Sequence, residues 1–363
     1  MRNTTWRTMG VAGLILSLLF AARAGAEAPP QTRQSQAEAR QAYLKLIDRP
    51  RVDPQVEEKE MEAPGEGLRM WRIAYWTEAG QRVPAIVVKP ASAKEGQRLP
   101  VVIALHGTSS KKESNLTLLK KLAAKGMIGV APDGRYHGER KTGEGTAEYF
   151  AQIAKAYADN ATDSGPGKAH PWLFDTTWDV MRLIDVMGAR ADVDPKKVGL
   201  IGFSKGGMET YLTAAADERV AVAVPCIGVQ TFLWGLENDQ WQARVGTVSG
   251  GWKAAMTADN IPKPTAADAR RFFDRVIPGI YGPLDCPQAL PRIAPRPLMV
   301  INSDQDKNTP LPGVLIAGEA AKKAYAAAGV PERFELIVQE KTGHSVKPES
   351  LNKAVEWFEK WLK

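Results

Sequence analysis

The run Lys197-Val198-Gly199-Leu200-Ile201-Gly202-Phe203-Ser204-Lys205-Gly206-Gly207 constrains this chain more than any other segment. A short apolar stretch drives into a serine with glycines two positions before and two after it, and Met208 to Leu212 continue as a helix. The pattern is a strand, a very tight turn and a helix. A side chain at either flanking position would collide with the neighbouring strand or helix, and glycine removes the collision. Such a turn lifts the serine Oγ clear of the sheet and aims a helix N-terminus at developing negative charge. Ser204 is therefore the expected nucleophile.

Chain order then selects its partners, because hydrolases with this elbow carry the acid and then the histidine after the serine. Of the four histidines, His106, His137, His170 and His344, only His344 lies beyond Ser204. It follows a strand-like run, Phe334 to Val338, and precedes an amphipathic helix over Asn352 to Leu362. The acid is expected after the apolar run Leu298 to Asn302. Asp306 is favoured over Asp304, since a loop needs one or two residues to clear the sheet edge. Either would orient the imidazole and stabilise the imidazolium.

The oxyanion requires two backbone N–H donors, one after the nucleophile and one from the loop after an early strand. Lys205 supplies the first. Thr108 supplies the second, after the apolar strand Leu99 to Leu105 and the turn His106-Gly107. His106 reads first as a loop-shaping residue and second as a substrate contact. The Lys205 side chain is expected in solvent or paired with a neighbouring carboxylate. In the turn Asp133-Gly134-Arg135-Tyr136-His137-Gly138, structural support competes with substrate contact through His137, and no metal-ligand spacing is present.

These motifs resemble the α/β-hydrolase superfamily, in the style of the branch holding dienelactone hydrolases, acetyl xylan esterases and prolyl oligopeptidase catalytic domains. The similarity covers roughly residues 68 to 362 and departs at two places. Dienelactone hydrolases carry a cysteine nucleophile where this chain has Ser204, and Tyr136 stands where many relatives have glycine. The resemblance implies a doubly wound, mostly parallel sheet with helices on both faces, a Ser204, His344 and Asp306 triad, and no cofactor.

The rest of the chain fits that frame. Residues 68 to 90 read as two alternating strands, and helices are expected near 115 to 125, 176 to 188, 206 to 217, 313 to 328 and 348 to 362. Residues 139 to 175 and 228 to 292 interrupt the alternation as insertions. The larger carries Trp234, Trp241, Trp252, Phe232, Phe272, Phe273 and Tyr281, which either pack a cap or form a substrate platform, with Trp234 the first candidate for contact. Residues 27 to 66 read as a polar, partly helical lead-in to a catalytic domain over 67 to 363.

Arg2 and Arg7 ahead of the apolar Met9 to Phe20, and the small-residue site Ala24-Gly25-Ala26, read as an export signal over 1 to 26. Without its three arginines the net charge falls from +7 to +4, too mild to argue for nucleic acid. No later apolar run is long enough to span a membrane. In an oxidising compartment Cys226 and Cys286 either bridge or stay separately buried; oligomeric state is open. The expected reaction is hydrolysis of a carboxylic ester through an acyl-enzyme, with an acetylated or feruloylated plant sugar as candidate substrate. Two rivals are a prolyl oligopeptidase-like peptidase, for which 27 to 66 is too short to hold a propeller, and a binding protein on the same fold.

Overall fold

Leu99–Leu105 is apolar or proline throughout and fully buried, and a strand with no polar face must be covered on both sides. The computed structural model, which describes Met1 and residues 33–363, meets that requirement with one nine-stranded sheet. The expected export segment lies, apart from Met1, outside the described residues. The strands are β1 Glu57–Met61, β2 Leu68–Glu78, β3 Gln81–Pro90, β4 Leu99–Leu105, β5 Ile128–Pro132, β6 Val193–Phe203, β7 Val220–Cys226, β8 Leu298–Ser303 and β9 Phe334–Gln339. The helices are α1 Arg33–Ile47, α2 Leu116–Ala124, α3 Ala147–Asp159, α4 Phe174–Gly188, α5 Lys205–Ala216, α6 Phe232–Glu237, α7 Gln242–Val245, α8 Ser249–Ala258, α9 Ala266–Val276, α10 Cys286–Ala289, α11 Leu311–Ala327 and α12 Pro348–Leu362.

Strand order is β1-β2-β3-β5-β4-β6-β7-β8-β9. The first three strands are antiparallel, and β4 to β9 run parallel. The period-two alternation of β4 separates the two cores. Val101, Ile103 and Leu105 enter the layer shared with α1, α4 and α5, whereas Val102 and Ala104 enter the layer built by α2 and α12. The chain leaves β4 for β5 on one side and returns to β6 on the other. Ligands of open parallel sheets bind at such a switch point, outside the strands' C-terminal ends. The loops after β4 and β6 meet there.

All five expected helices form within two residues of their sequence limits. The lead-in does not stand apart. Tyr43 and Ile47 of α1 are 2% and 1% exposed inside the main core, and β1 pairs with β2 along the sheet edge. Nothing in Glu57-Glu58-Lys59-Glu60-Met61 marks a strand, because all five side chains are exposed. The pairing groups of β2 recruit it, with Glu57, Glu58 and Glu60 meeting Arg82, Arg190 and Arg69.

The two insertions form one cap. Tyr157 of α3 stacks on Phe272 of α9 at 5.4 Å, Trp172 lies 5.4 Å from Phe273, and Trp252 meets Phe272 edge-on at 5.3 Å. This decides between packing and platform for Trp252, Phe232, Phe272 and Phe273, all of which are buried. Cys226 and Cys286 are both free and buried, so the bridge does not form.

Truncating Ile47 to Ala should cost about 2–5 kcal/mol in equilibrium denaturant unfolding. A lead-in independent of the domain would leave the midpoint unchanged.

Candidate active site

Ser204 has φ +55° and ψ −111°, a backbone region that an L-residue occupies only when its surroundings impose it. Two contacts do so here. A Cβ at position 202 would stand 2.1 Å from the Gly206 carbonyl oxygen, and one at 206 would stand 2.4 Å from that of Leu105. The first turn of α5 is thus pressed onto the ends of β6 and β4. The Ser204 amide donates to the Cys226 carbonyl at 2.9 Å, tying the turn to β7 as well.

His344 arrives on the loop between β9 and α12. Its Nδ1 lies 2.7 Å from Asp306 Oδ2 and its Nε2 lies 2.8 Å from Ser204 Oγ. A carboxylate can only accept, so Nδ1 carries the proton and Nε2 accepts from the serine hydroxyl. Asp306 is buried at the end of β8. Burial opposes its ionisation, yet hydrogen bonds from His344, Thr309 Oγ1 and the Asn308 amide hold it below the usual carboxylate range. Thr309 is fixed in turn by the Asn302 amide at 3.0 Å. Asp304 stands outside this relay. Its two oxygens accept from the Lys341 and Thr342 amides at 2.9 and 3.0 Å, shaping the loop that carries His344.

Lys205 opens α5, so no carbonyl within the helix satisfies its amide. Thr108 lies on the neighbouring loop, which runs so close to the end of β6 that a Cβ at Gly107 would lie 3.3 Å from the Phe203 carbonyl oxygen. The Lys205 side chain is not in solvent. It is 2% exposed and pairs at 2.8 Å with Glu209, itself 1% exposed. Burial raises the Glu209 carboxyl and the Lys205 ammonium opposes the rise. The spacing of four residues on one helix face made this pairing legible.

At the three residues weighed between a structural role and substrate contact, the side chains are engaged within the protein. His106 is buried; its Nδ1 bonds the Gly107 carbonyl at 2.8 Å and its Nε2 accepts from the Gly134 amide at 2.9 Å, so both nitrogens are occupied in bracing two loops. Burial, reinforced by the Lys205 charge, keeps it neutral. His137 is also buried, with Nδ1 on the Arg135 carbonyl and its ring packed 4.6 Å from Tyr149. Burial and the Lys205 charge push it down to about 3. Trp234 is half-buried and lays its indole on α11 at Gly313, a contact with the scaffold.

The Asp133 turn is a structural joint. Its carboxylate accepts from the Lys112 amide and ammonium and from the Glu139 amide. Tyr136 adopts φ +59°, the conformation for which glycine is the ordinary choice. Among the described residues, no group of three or more His, Cys, Asp or Glu side chains is arranged to hold a metal ion.

A serine elbow at the switch point of a mostly parallel sheet defines an α/β-hydrolase, and the chain is a serine carboxylic ester hydrolase. The acetyl xylan esterase family matches residues 41–233 and the prolyl oligopeptidase family residues 172–363, each more than half of the chain, which therefore belongs to the superfamily branch holding both. The candidate esterase YitV of Bacillus subtilis is 24% identical over 264 residues, covering 73% of this chain and 90% of that protein. A 4-O-methyl-glucuronoyl methylesterase of Thermothelomyces thermophilus is 26% identical over 278 residues, 74% of this chain and 61% of its own length. The fold is shared with acetyl xylan esterase 1 of Thermoanaerobacterium sp. JW/SL YS485, at a TM-score of 0.64 and 17% identity over 91% of this chain and 94% of that one.

Gly206→Ala should unfold at a lower temperature than the parent and lose most esterase turnover, because the methyl group meets backbone that cannot swing aside. A variant with parental melting and activity would show that the turn tolerates a side chain there.

Proposed function

We propose that Ser204, Asp306 and His344 form a catalytic triad that hydrolyses short-chain esters of carbohydrates, an acetylated or uronoyl-esterified plant polysaccharide being the substrate class. The observation that carries this reading is the unbroken hydrogen-bonded line from Asp306 through His344 to the Ser204 hydroxyl. His344 Nε2 takes the serine proton as Oγ attacks the ester carbonyl, and Asp306 stabilises the imidazolium. The amides of Thr108 and Lys205 donate to the carbonyl oxygen as negative charge develops on it. His344 then returns the proton to the departing alcohol, and water repeats the cycle on the acyl-enzyme.

The carbohydrate part of the proposal draws on the family match and on the cleft beside the acid. That cleft, about 600 Å³, is bordered by Gln240, Gln242, Gln305, Lys307 and Asn308 as well as Asp306, and by the apolar Ala243, Pro310, Leu311 and Pro312. Its side-chain amides can hydrogen-bond the hydroxyl groups of a sugar chain, and its apolar residues can pack against the ring faces. Export of the enzyme is supported by the arginines, apolar stretch and small-residue site of residues 1–26. Among the described residues no helix is long and apolar enough to cross a membrane.

Initial rates on p-nitrophenyl acetate, butyrate and octanoate, acetylated xylan, a glucuronoyl methyl ester, methyl ferulate and a prolyl-peptide anilide test the reading. Turnover should favour acetate and the sugar esters and vanish in Ser204→Ala. Asp306→Asn should lose on the order of 10⁴ in kcat, whereas Asp304→Asn retains most of it. Cleavage of the anilide alone would transfer the chain to the peptidases. N-terminal sequencing of protein recovered from an exporting host should begin at Glu27; an intact Met1 on the exported product would sink the cleaved-signal assignment.

A further inference from the structure

Five lysine and arginine residues, backbone and side chain together, are buried among the described residues: Lys112, Arg135, Arg182, Lys205 and Arg244. Four have a carboxylate within ion-pairing distance, namely Asp133, Asp179, Asp185 and Glu209 respectively. Arg244, on α7 of the cap and 3% exposed, has none. A buried charge without a counter-ion is costly and survives only where its donors are otherwise engaged. One of its nitrogens is held by the loop after β7 and one meets α5, while Nε has no hydrogen-bond partner. Nη2 bonds the Gly228 carbonyl at 3.0 Å and reaches that of Gln230 at 3.5 Å, while Nη1 approaches Met208 Sδ at 3.6 Å. The guanidinium also lies 4.7 Å over the Phe232 ring. Asp306 and Asp285 are the carboxylates that face it at longer range.

Gly228 is where this loop meets the nucleophile turn. A Cβ there would come within 2.7 Å of the Ser204 carbonyl oxygen and 2.8 Å of the Met208 amide nitrogen. The preceding residue, Ile227, is at φ +44° and donates to the Ile301 carbonyl at 2.6 Å. Two side-chain-bearing residues in left-handed backbone, Ser204 and Ile227, therefore sit at the ends of adjacent strands. Backbone of this kind persists only when its neighbours over-determine it.

We infer that Arg244 is a positioning residue for the nucleophile: it reaches from the cap to grip the Gly228 to Gln230 carbonyls, and so holds in place the loop on which the Ser204 turn rests. The inference depends on Ser204 being the nucleophile. The planar, multiply donating guanidinium spans both carbonyls and stacks on Phe232, which a lysine ammonium cannot do at once. The cap is thereby tied to the chemistry through the backbone rather than through substrate.

The test compares full-length wild type, Arg244→Met and Arg244→Lys, each shown folded by near-UV circular dichroism. Two readouts are taken: the rate at which a fluorophosphonate labels Ser204, and kcat and KM on p-nitrophenyl acetate. With the loop released, Arg244→Met should lose about 10- to 100-fold in labelling rate and kcat together, as expected for small misplacement of a reacting group. KM should stay near the wild-type value, and Arg244→Lys should recover part of the loss. Folded Arg244→Met labelled at the wild-type rate overturns the inference, as does a rise in KM alone, which would mark a substrate contact. If Arg244→Met does not fold, Arg244→Lys decides: labelling and kcat equal to wild type overturn the inference, and a parallel loss in both supports it. Wild-type protein that the probe leaves unlabelled at Ser204 overturns the nucleophile assignment itself, and this inference with it.

Discussion

The molecule is organised by one close approach, that of the first turn of α5 to the ends of β4 and β6. Because Gly202 and Gly206 carry no side chains, helix backbone touches strand backbone, and Ser204 is forced out of ordinary φ,ψ space. The switch in strand order brings the β4 loop alongside. Position and direction of the Ser204 side chain thus follow from sheet topology together with two missing β-carbons. Asp306 and His344 arrive later in the chain on separate strand ends and meet Ser204 there.

Around that turn the protein uses its polar groups in two distinct ways. Beneath it, His106 serves as a neutral strut whose ring nitrogens join backbone of the β4 and β5 loops, so a group able to titrate is held to one form. Farther out, charge is placed opposite charge. Arg135 and Arg140 converge on Asp179, whose carboxyl stays below its usual range despite burial. Lys112 similarly draws Asp133 and Glu139 together. Neutral struts tolerate low dielectric without a desolvation penalty for ions, whereas the ion pairs need every partner present.

Much of this architecture is legible in the amino-acid sequence. The β4 strand, the second half of β6 and the first four residues of β8 are apolar runs, the elbow is a local motif, chain order leaves one histidine, and the need for a strand end leaves two aspartates to consider. What stays hidden depends on partners distant in sequence. His106 and His137 look like site residues because histidines near a motif often are, but the groups that occupy or bury them come from the 133 to 138 turn and from Tyr149. β1 has no apolar side to announce it. Trp234 stands out by its place after β7, while the α11 surface that receives it starts some eighty residues later. Local patterns carry Ser204, Asp306 and His344; the surroundings that decide whether a polar side chain is available are non-local.

The cap raises a different matter, that of inheritance. Its aromatic seam joins Tyr157 and Trp172 from one insertion to Phe272 and Phe273 from another, with a strand, the elbow and a further strand encoded between them. Neither insertion is a self-sufficient module. A gene that acquired one without the other would present half an aromatic interface to water, so the two are expected to be inherited as a pair. Residue changes along the seam are likewise expected to accumulate in matched steps, across a stretch of chain that itself has little freedom to vary.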